Sequence, residues 1–183
     1  MDNRPIFTII EAAQAGDKQQ LDALIGSGAQ LNIADAFDAT PAIWCILNEH
    51  YECLELLISA GCDDNSKTNE GWTAAVLSVC HGKDKFLERL VAAGCDVDIK
   101  DKSGRTAAMD AARHGQKSCL AQLIAAGCGI AAQDNIGRTA LSFAASGGHM
   151  DCAAMLQSES ERRKLADGIL NPDTKKQTIR VWI

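Results

Sequence analysis

Apolar positions along the chain fall into short clusters separated by glycine and polar residues, and the clusters recur at one interval. Leu24, Leu57, Leu90, Leu123 and Leu156 stand 33 residues apart. Gly28-Ala29, Gly61-Cys62, Gly94-Cys95 and Gly127-Cys128 keep the same step, as do Gly71-Trp72-Thr73, Gly104-Arg105-Thr106 and Gly137-Arg138-Thr139. Three ladders in phase mean one structural unit reused, and a period of this length marks a stacked array. In such an array each unit touches only its neighbours, and function lies on the surface that the units present together.

The segment 104–136 shows how one unit is built. Gly104 permits a sharp turn, and Thr106 is placed to accept an amide bond as a helix cap. Ala107, Ala108, Met109, Ala111 and Ala112 predict a short helix whose small side chains allow close neighbours. Gly115 ends it. Leu120, Leu123 and Ile124, at i, i+3 and i+4, predict a second helix with one apolar face, ended by Gly127. Asp134 and Asn135 are turn formers and predict a hairpin leading into the next glycine. Neither helix can bury its apolar face alone, so Leu90 must be buried between its counterparts Leu57 and Leu123.

This pattern resembles the ankyrin repeat. The family motif runs D-x-x-G-x-T-P-L-H-x-A-A-x-x-G-H, then an apolar helix and G-A. Residues 134–149 follow it closely, and 101–115 nearly as well. The resemblance implies an all-α repeat solenoid over 4–156, with about five helix-turn-helix units joined by β-hairpin loops. The units start near 5, 38, 71, 104 and 137. Residues 157–183 are then a C-terminal capping helix and tail. Departures are local. Proline of the Thr-Pro step survives only at Pro41 and is Ala74, Ala107 and Ala140 elsewhere. The first motif histidine is Ile43, Val76, Met109 and Ser142. Unit 2 has Asp38 for the turn glycine and Glu49 for the helix-ending one, which makes it the expected weak point.

Composition narrows the function. Six basic and four acidic side chains follow from Gln157 onward, so the net −6 leaves −8 on the repeats (−6 less +2). An acidic body lacks the footprint that nucleic acid or an anionic membrane demands, so neither is an expected partner. No apolar run approaches the ~18 residues of a membrane span. The eight cysteines include no CxxC pair and follow the repeat instead. They read as small buried hydrophobes, expected to be reduced and substantially buried at Cys62, Cys95 and Cys128. Many free thiols without a secretory signal imply a reducing compartment: cytoplasm, with the nucleus also open.

No nucleophile elbow, phosphate loop or dinucleotide fingerprint is present, and no cofactor is implied. His50 and His149 fall at the motif histidine after the helix-ending glycine, a structural position in the family. His81 and His114 stand one repeat apart with Cys80 and Asp110 nearby. They read as a surface groove with two histidines, because the local ligand spacings of a metal site are missing. A metal protein or enzyme built on them is the third reading of the chain.

The leading reading is a non-catalytic scaffold or adaptor, expected to be a monomer, that binds a protein partner. The resemblance implies that the hairpin tips and first helices line a concave binding face. Its variable positions are then Trp44, Leu77, Asp110 and Phe143; Leu47, Cys80, Arg113 and Ser146; and Asn48, His81, His114 and Gly147. The tips add Ala39, Trp72, Arg105 and Arg138, with Phe37, Glu70, Ser103 and Ile136. The candidate binding residues are Phe37, Trp44, Leu47, Trp72, Leu77, His81, Arg105, Asp110, Arg113, His114, Ile136, Arg138 and Phe143. Trp and Arg are enriched at binding hot spots, and Trp44, Trp72, Arg105, Arg138 and Phe143 are expected to be at least partly exposed on one face.

The alternative is an accessory or substrate-recruiting subunit whose tail docks to a larger enzyme complex. That tail ends in the apolar, β-prone run Thr178-Ile179-Arg180-Val181-Trp182-Ile183. Two readings of it stand open. It folds back and caps the last unit, or it adds as a strand to a partner, resembling the C-terminal ligands of PDZ domains.

Overall fold

The computed structural model describes residues 8–166 and Gly168. Within them the chain forms ten helices in five antiparallel pairs. These are α1 (Ile9–Ala15) with α2 (Lys18–Gly26), α3 (Pro41–Leu47) with α4 (Tyr51–Ser59), and α5 (Ala74–Cys80) with α6 (Asp84–Ala93). α7 (Ala107–Arg113) pairs with α8 (Lys117–Ala125), and α9 (Ala140–Ser146) with α10 (Met150–Ala166). We number the units by pair. First helices pack on first helices and second helices on second helices, giving two parallel rows.

The 33-residue leucine ladder explains the outer row. Leu57, Leu90, Leu123 and Leu156 are all buried in the core that runs along the stack, and Leu24 packs against it partly buried. The inner row is built from Ala42, Ala75 and Ala108 and from Ile46, Val79 and Ala112, all buried; small and β-branched residues there let seven-residue helices lie close together. Helices so short have little stability alone, and packing on both neighbours supplies it.

Units are also tied through polar bonds. Asn32 and Asn65 accept from the Asp63 and Asp96 amides at 2.8 Å, and Asp98 accepts from the Gly129 amide at 2.8 Å. The tips are turns closed by paired backbone bonds, such as Asp134 N to Arg138 O at 2.9 Å and Gly137 N to Asp134 O at 3.0 Å. Successive tips are joined by backbone bonds, Asn69 N to Phe37 O, Lys102 N to Glu70 O and Asn135 N to Ser103 O, and the last pair also by Asn135 Nδ2 to Lys102 O at 2.9 Å. No β-strand is assigned among the described residues, so these turns stand where hairpins were expected.

Two local expectations need correction. Thr106 sits at the start of α7 but its hydroxyl caps nothing; the Met109 amide bonds the Thr106 carbonyl instead, at 3.0 Å, and Oγ1 is buried without a partner. Thr73 and Thr139 do cap, and Ser142 completes a reciprocal box with Thr139. Among the cysteines, Cys128 is fully buried, whereas Cys62 and Cys95 are only half-buried. The register that holds Val97 and Ile130 holds Asp64 in unit 2, whose carboxylate accepts from the Cys62 thiol at 3.3 Å. All eight cysteines are free thiols.

The departures of unit 2 fall where the backbone is most demanding. Asp38 (φ 57°) and Glu49 (φ 64°) are the only non-glycine residues with positive φ among the described residues. At the equivalent of Glu49, Gly16 and Gly115 have no room for a side chain: a Cβ there would run into the rings of His50 and His149. Those rings donate from Nε2 to the carbonyls of Gln14 (3.1 Å) and Arg113 (3.0 Å), the structural role the family position implies. In unit 3 the same register holds Lys83. Its chain reaches the Ile46 carbonyl at 3.1 Å and pairs with Glu49 at 3.0 Å. A flexible lysine leaves space for a Cβ where a histidine ring would not.

α10 continues through the predicted cap. Glu159 is buried and takes two bonds from Arg162 and one from Arg163, while Arg163 also donates to the Cys128 carbonyl at 2.8 Å. The 178–183 run lies outside the described residues.

Candidate functional site

The face made by the tips and first helices gathers most of the candidate residues, and one device positions them. Each tip opens on a residue at the register Asp35, Thr68, Asp101, Asp134. One carboxylate oxygen of Asp101 accepts from the amides of Ser103 and Arg105, both at 2.8 Å. Asp134 does the same for Ile136 (3.0 Å) and Arg138 (2.8 Å), and Asp35 for Phe37 (2.8 Å) and Ala39 (3.0 Å). The second oxygen is then free to hold a side chain.

That oxygen selects the face residues. Asp35 Oδ2 takes the Trp44 indole N–H at 2.9 Å. Asp101 Oδ2 takes Arg105 at 3.2 Å, and Arg105 reaches on to Asp110 at 3.7 Å. Asp134 Oδ2 takes Arg138 Nε and Nη2, both at 2.8 Å, a two-pronged grip. Thr68 has one oxygen, already accepting from the Trp72 amide at 3.2 Å, so Trp72 has no such anchor.

Electrostatics follow from the same bonds. Burial pushes the Asp134 carboxyl up, but the Arg138 amide and guanidinium outweigh it and hold it below the usual range. At Asp35 burial is likewise outweighed, by the amides of Phe37 and Ala39 and by the Trp44 indole. Asp110 goes the other way: burial raises it, and Arg105 offsets only part. Cys80 is exposed, but partial desolvation and the neighbouring Asp110 push its thiol up, to about 11.

Not every expected residue reaches the surface. Phe143 is buried, with the Arg138 guanidinium stacked 4.4 Å above its ring. Asp110 is buried beneath Arg105, and Leu77 is buried as the floor of a cleft. These three were assigned to a contact face, and tertiary packing takes them out of direct reach. Trp44, Leu47 and Arg105 are partly exposed. Phe37, Trp72, Arg113, Ile136 and Arg138 are exposed. His81 and His114 are exposed residues ending α5 and α7, and His114 Nδ1 lies 3.0 Å from the Asp110 carbonyl. Among the described residues no group of three or more His, Cys, Asp or Glu is arranged to hold a metal ion.

The apolar half of the face is concentrated at units 2 and 3. Phe37 (63 % exposed) and Trp72 (38 % exposed) flank a cleft of about 200 Å³ whose wall includes Trp44 and Leu47. Sequence reasoning found these residues and read Asp134 as a turn former and Asp101 as the start of a motif, but missed Asp35 and the hold that all three carboxylates have on the face side chains. Their recurrence at the 33-residue step was the available signal.

A family model of three ankyrin repeats matches residues 9–101 and again 76–166. The chain belongs to the ankyrin-repeat family. Ankyrin repeats are in general protein–protein interaction modules rather than enzymes, and the helical stack described above is that solenoid. No helix among the described residues of this ankyrin-repeat chain is long and apolar enough to cross a membrane.

Proposed function

We propose that this ankyrin-repeat chain is a monomeric, non-catalytic scaffold that binds a protein partner along the face of tips and first helices. The carrying observation is the cleft between Phe37 and Trp72. Of the five exposed large hydrophobic residues among the described ones, three (Phe37, Trp72 and Ile136) stand on tips of this one face. Apolar residues gathered on one face of a water-soluble surface mark a contact site more strongly than scattered ones. Arg113 and Arg138 carry the face onward as cations, which favours a partner segment with an apolar anchor followed by acidic or polar groups. The reading of 4–156 as five repeats with a cap and tail over 157–183 belongs to the same proposal, supported by the five helix pairs and by the Glu159–Arg163 closure. So does a cytoplasmic, reducing setting, supported by eight free thiols.

The test is affinity for a partner recovered with the full chain. Trp72→Ala and Phe37→Ala should each weaken binding by about 2 kcal/mol, or about 30-fold, as hot-spot truncations do. The unfolding midpoint should stay in place, because neither side chain is buried between units. Undiminished affinity in both variants would sink the assignment of the cleft.

A further inference from the structure

Unit 5 shows what the cleft of units 2 and 3 lacks. In unit 5 the Arg138 guanidinium lies 4.4 Å from the Phe143 ring and is gripped by Asp134. One hundred residues earlier in round terms, at the same registers of unit 2, stand Ala39, Trp44 and Asp35. Unit 2 keeps the ring and the carboxylate but has a methyl group where the cation belongs. Ala39 and Trp44 line the cleft of about 200 Å³, with Phe37 and Trp72 at its sides. The cleft therefore opens where unit 5 lays its own arginine.

The other rings follow the same rule. The Lys85 ammonium lies 3.8 Å from the centre of the Tyr51 ring, and that of Lys83 lies 5.8 Å from the centre of Phe86. Among the described residues, Phe37, Trp44 and Trp72 are the aromatics with no cation over them, and all three border this cleft. Charge agrees. Glu70 is exposed at the border, and no lysine or arginine lines the cleft. An aromatic face attracts a cation, most strongly when the ring is Trp.

Size and hydration narrow the occupant further. A volume of about 200 Å³ is below the ~300–1,000 Å³ of a small-molecule pocket and suits a single side chain. A lysine ammonium is compact and strongly hydrated, and these walls offer it few acceptors. A guanidinium is flat, more weakly hydrated and stacks on aromatic faces. Its methylene stem can lie along apolar side chains such as Leu47 and Leu77 while the charged end stays near water.

We propose that the cleft of units 2 and 3 binds an arginine side chain of the partner, its guanidinium over Trp44 in the place that Arg138 takes over Phe143. The inference rests on the reading of this cleft as the contact site and names the side chain that anchors there: the stem supplies the apolar contact and the guanidinium the specificity. Asp35 Oδ2 already holds the Trp44 indole, so Glu70 supplies the carboxylate for the incoming charge.

The experiment selects random phage-displayed peptides on the complete chain and titrates the synthetic peptides by calorimetry. Peptides bound in the cleft are recognised by a loss of about 30-fold on Trp72→Ala, and they should share an arginine. Exchanging that arginine for citrulline, which keeps the shape and removes the charge, should weaken binding by about 10-fold or more. Glu70→Gln should weaken the arginine peptide by about 3-fold and leave the citrulline peptide unchanged. Ala39→Arg rebuilds the unit 5 arrangement within the chain and should abolish peptide binding at an unchanged unfolding midpoint; the citrulline peptide and Glu70→Gln carry the test however that variant folds. Cleft-bound peptides that share leucine or phenylalanine instead, or a citrulline peptide of equal affinity, overturn the arginine and leave the contact site standing. Peptides indifferent to Trp72→Ala, or a selection that yields none bound in the cleft, overturn both.

Discussion

The tips of units 2 and 3 and those of units 4 and 5 are the same turn carrying different chemistry. In units 4 and 5, Asp101 and Asp134 clamp the turn with one oxygen and an arginine with the other. The arginines are thereby fixed, and the one in unit 5 lies over Phe143, removing an aromatic from the surface. In unit 2 the same oxygen of Asp35 holds an indole. In unit 3 threonine replaces aspartate, no second oxygen exists, and Trp72 remains unheld beside an exposed Phe37. The residue that opens the tip and the one four positions on together decide what it offers: a clamped cation at Asp101–Arg105 and Asp134–Arg138, an accessible aromatic at Thr68–Trp72.

The largest effect that would break this comparison is loss of a clamp. Asp101→Ala leaves two tip amides without their acceptor and a partly buried arginine with only its 3.7 Å contact to Asp110, so chemical denaturation should show a loss of about 3 kcal/mol. Thr68→Ala, removing one bond from one amide, should cost about 1 kcal/mol. Equal losses would mean that the carboxylate's second oxygen contributes nothing.

A second contrast separates units 2 and 4 at the far end of their first helices. Gly115→Ala should destabilise by about 2 kcal/mol or more, since the residue sits at φ 68° against the His149 ring. Glu49→Gly should change stability by no more than about 1 kcal/mol: it relieves a left-handed glutamate but removes the carboxylate paired with Lys83, whose side chain is largely buried. A clear loss in Glu49→Gly would show that Lys83 fastens unit 2 through that pair.

The smallest effect is in pH. Asp35, Asp134 and Glu159 all have folded carboxyls held below their ordinary values, so each contributes stability that is present above the ordinary carboxylate range. That stability is lost as pH falls; for Glu159, whose bonds from Arg162 and Arg163 bring it to about 2, the loss runs from about pH 4.5 down through 2. Asp110, raised by burial, has the opposite sign and gains as pH falls. Asp134→Asn and Glu159→Gln should each flatten the acid limb of the midpoint-versus-pH curve, while Thr68→Ala should leave its shape unchanged. An acid limb identical in all three would remove these carboxylates from the account.

The 33-residue ladders determined the stack, the order of its helices and the buried leucines, because spacing alone dictates which side chains lie over one another in neighbouring units. They also located the two non-glycine turn positions, since a backbone that needs positive φ accepts few residues. Tertiary structure alone decided which face residues are free. Leu77, Asp110 and Phe143 share one register with the partly exposed Trp44, and spacing alone does not say which members of a register are covered. Their burial depends on what the neighbouring unit lays across them: Arg105 over Asp110, Arg138 over Phe143, and the cleft walls over Leu77. The cap of α7 was likewise settled by geometry, where a main-chain bond displaced the Thr106 hydroxyl. Periodicity fixes the position of a side chain within its unit, but its exposure depends on contacts with non-equivalent residues, and those contacts form only when the units stack.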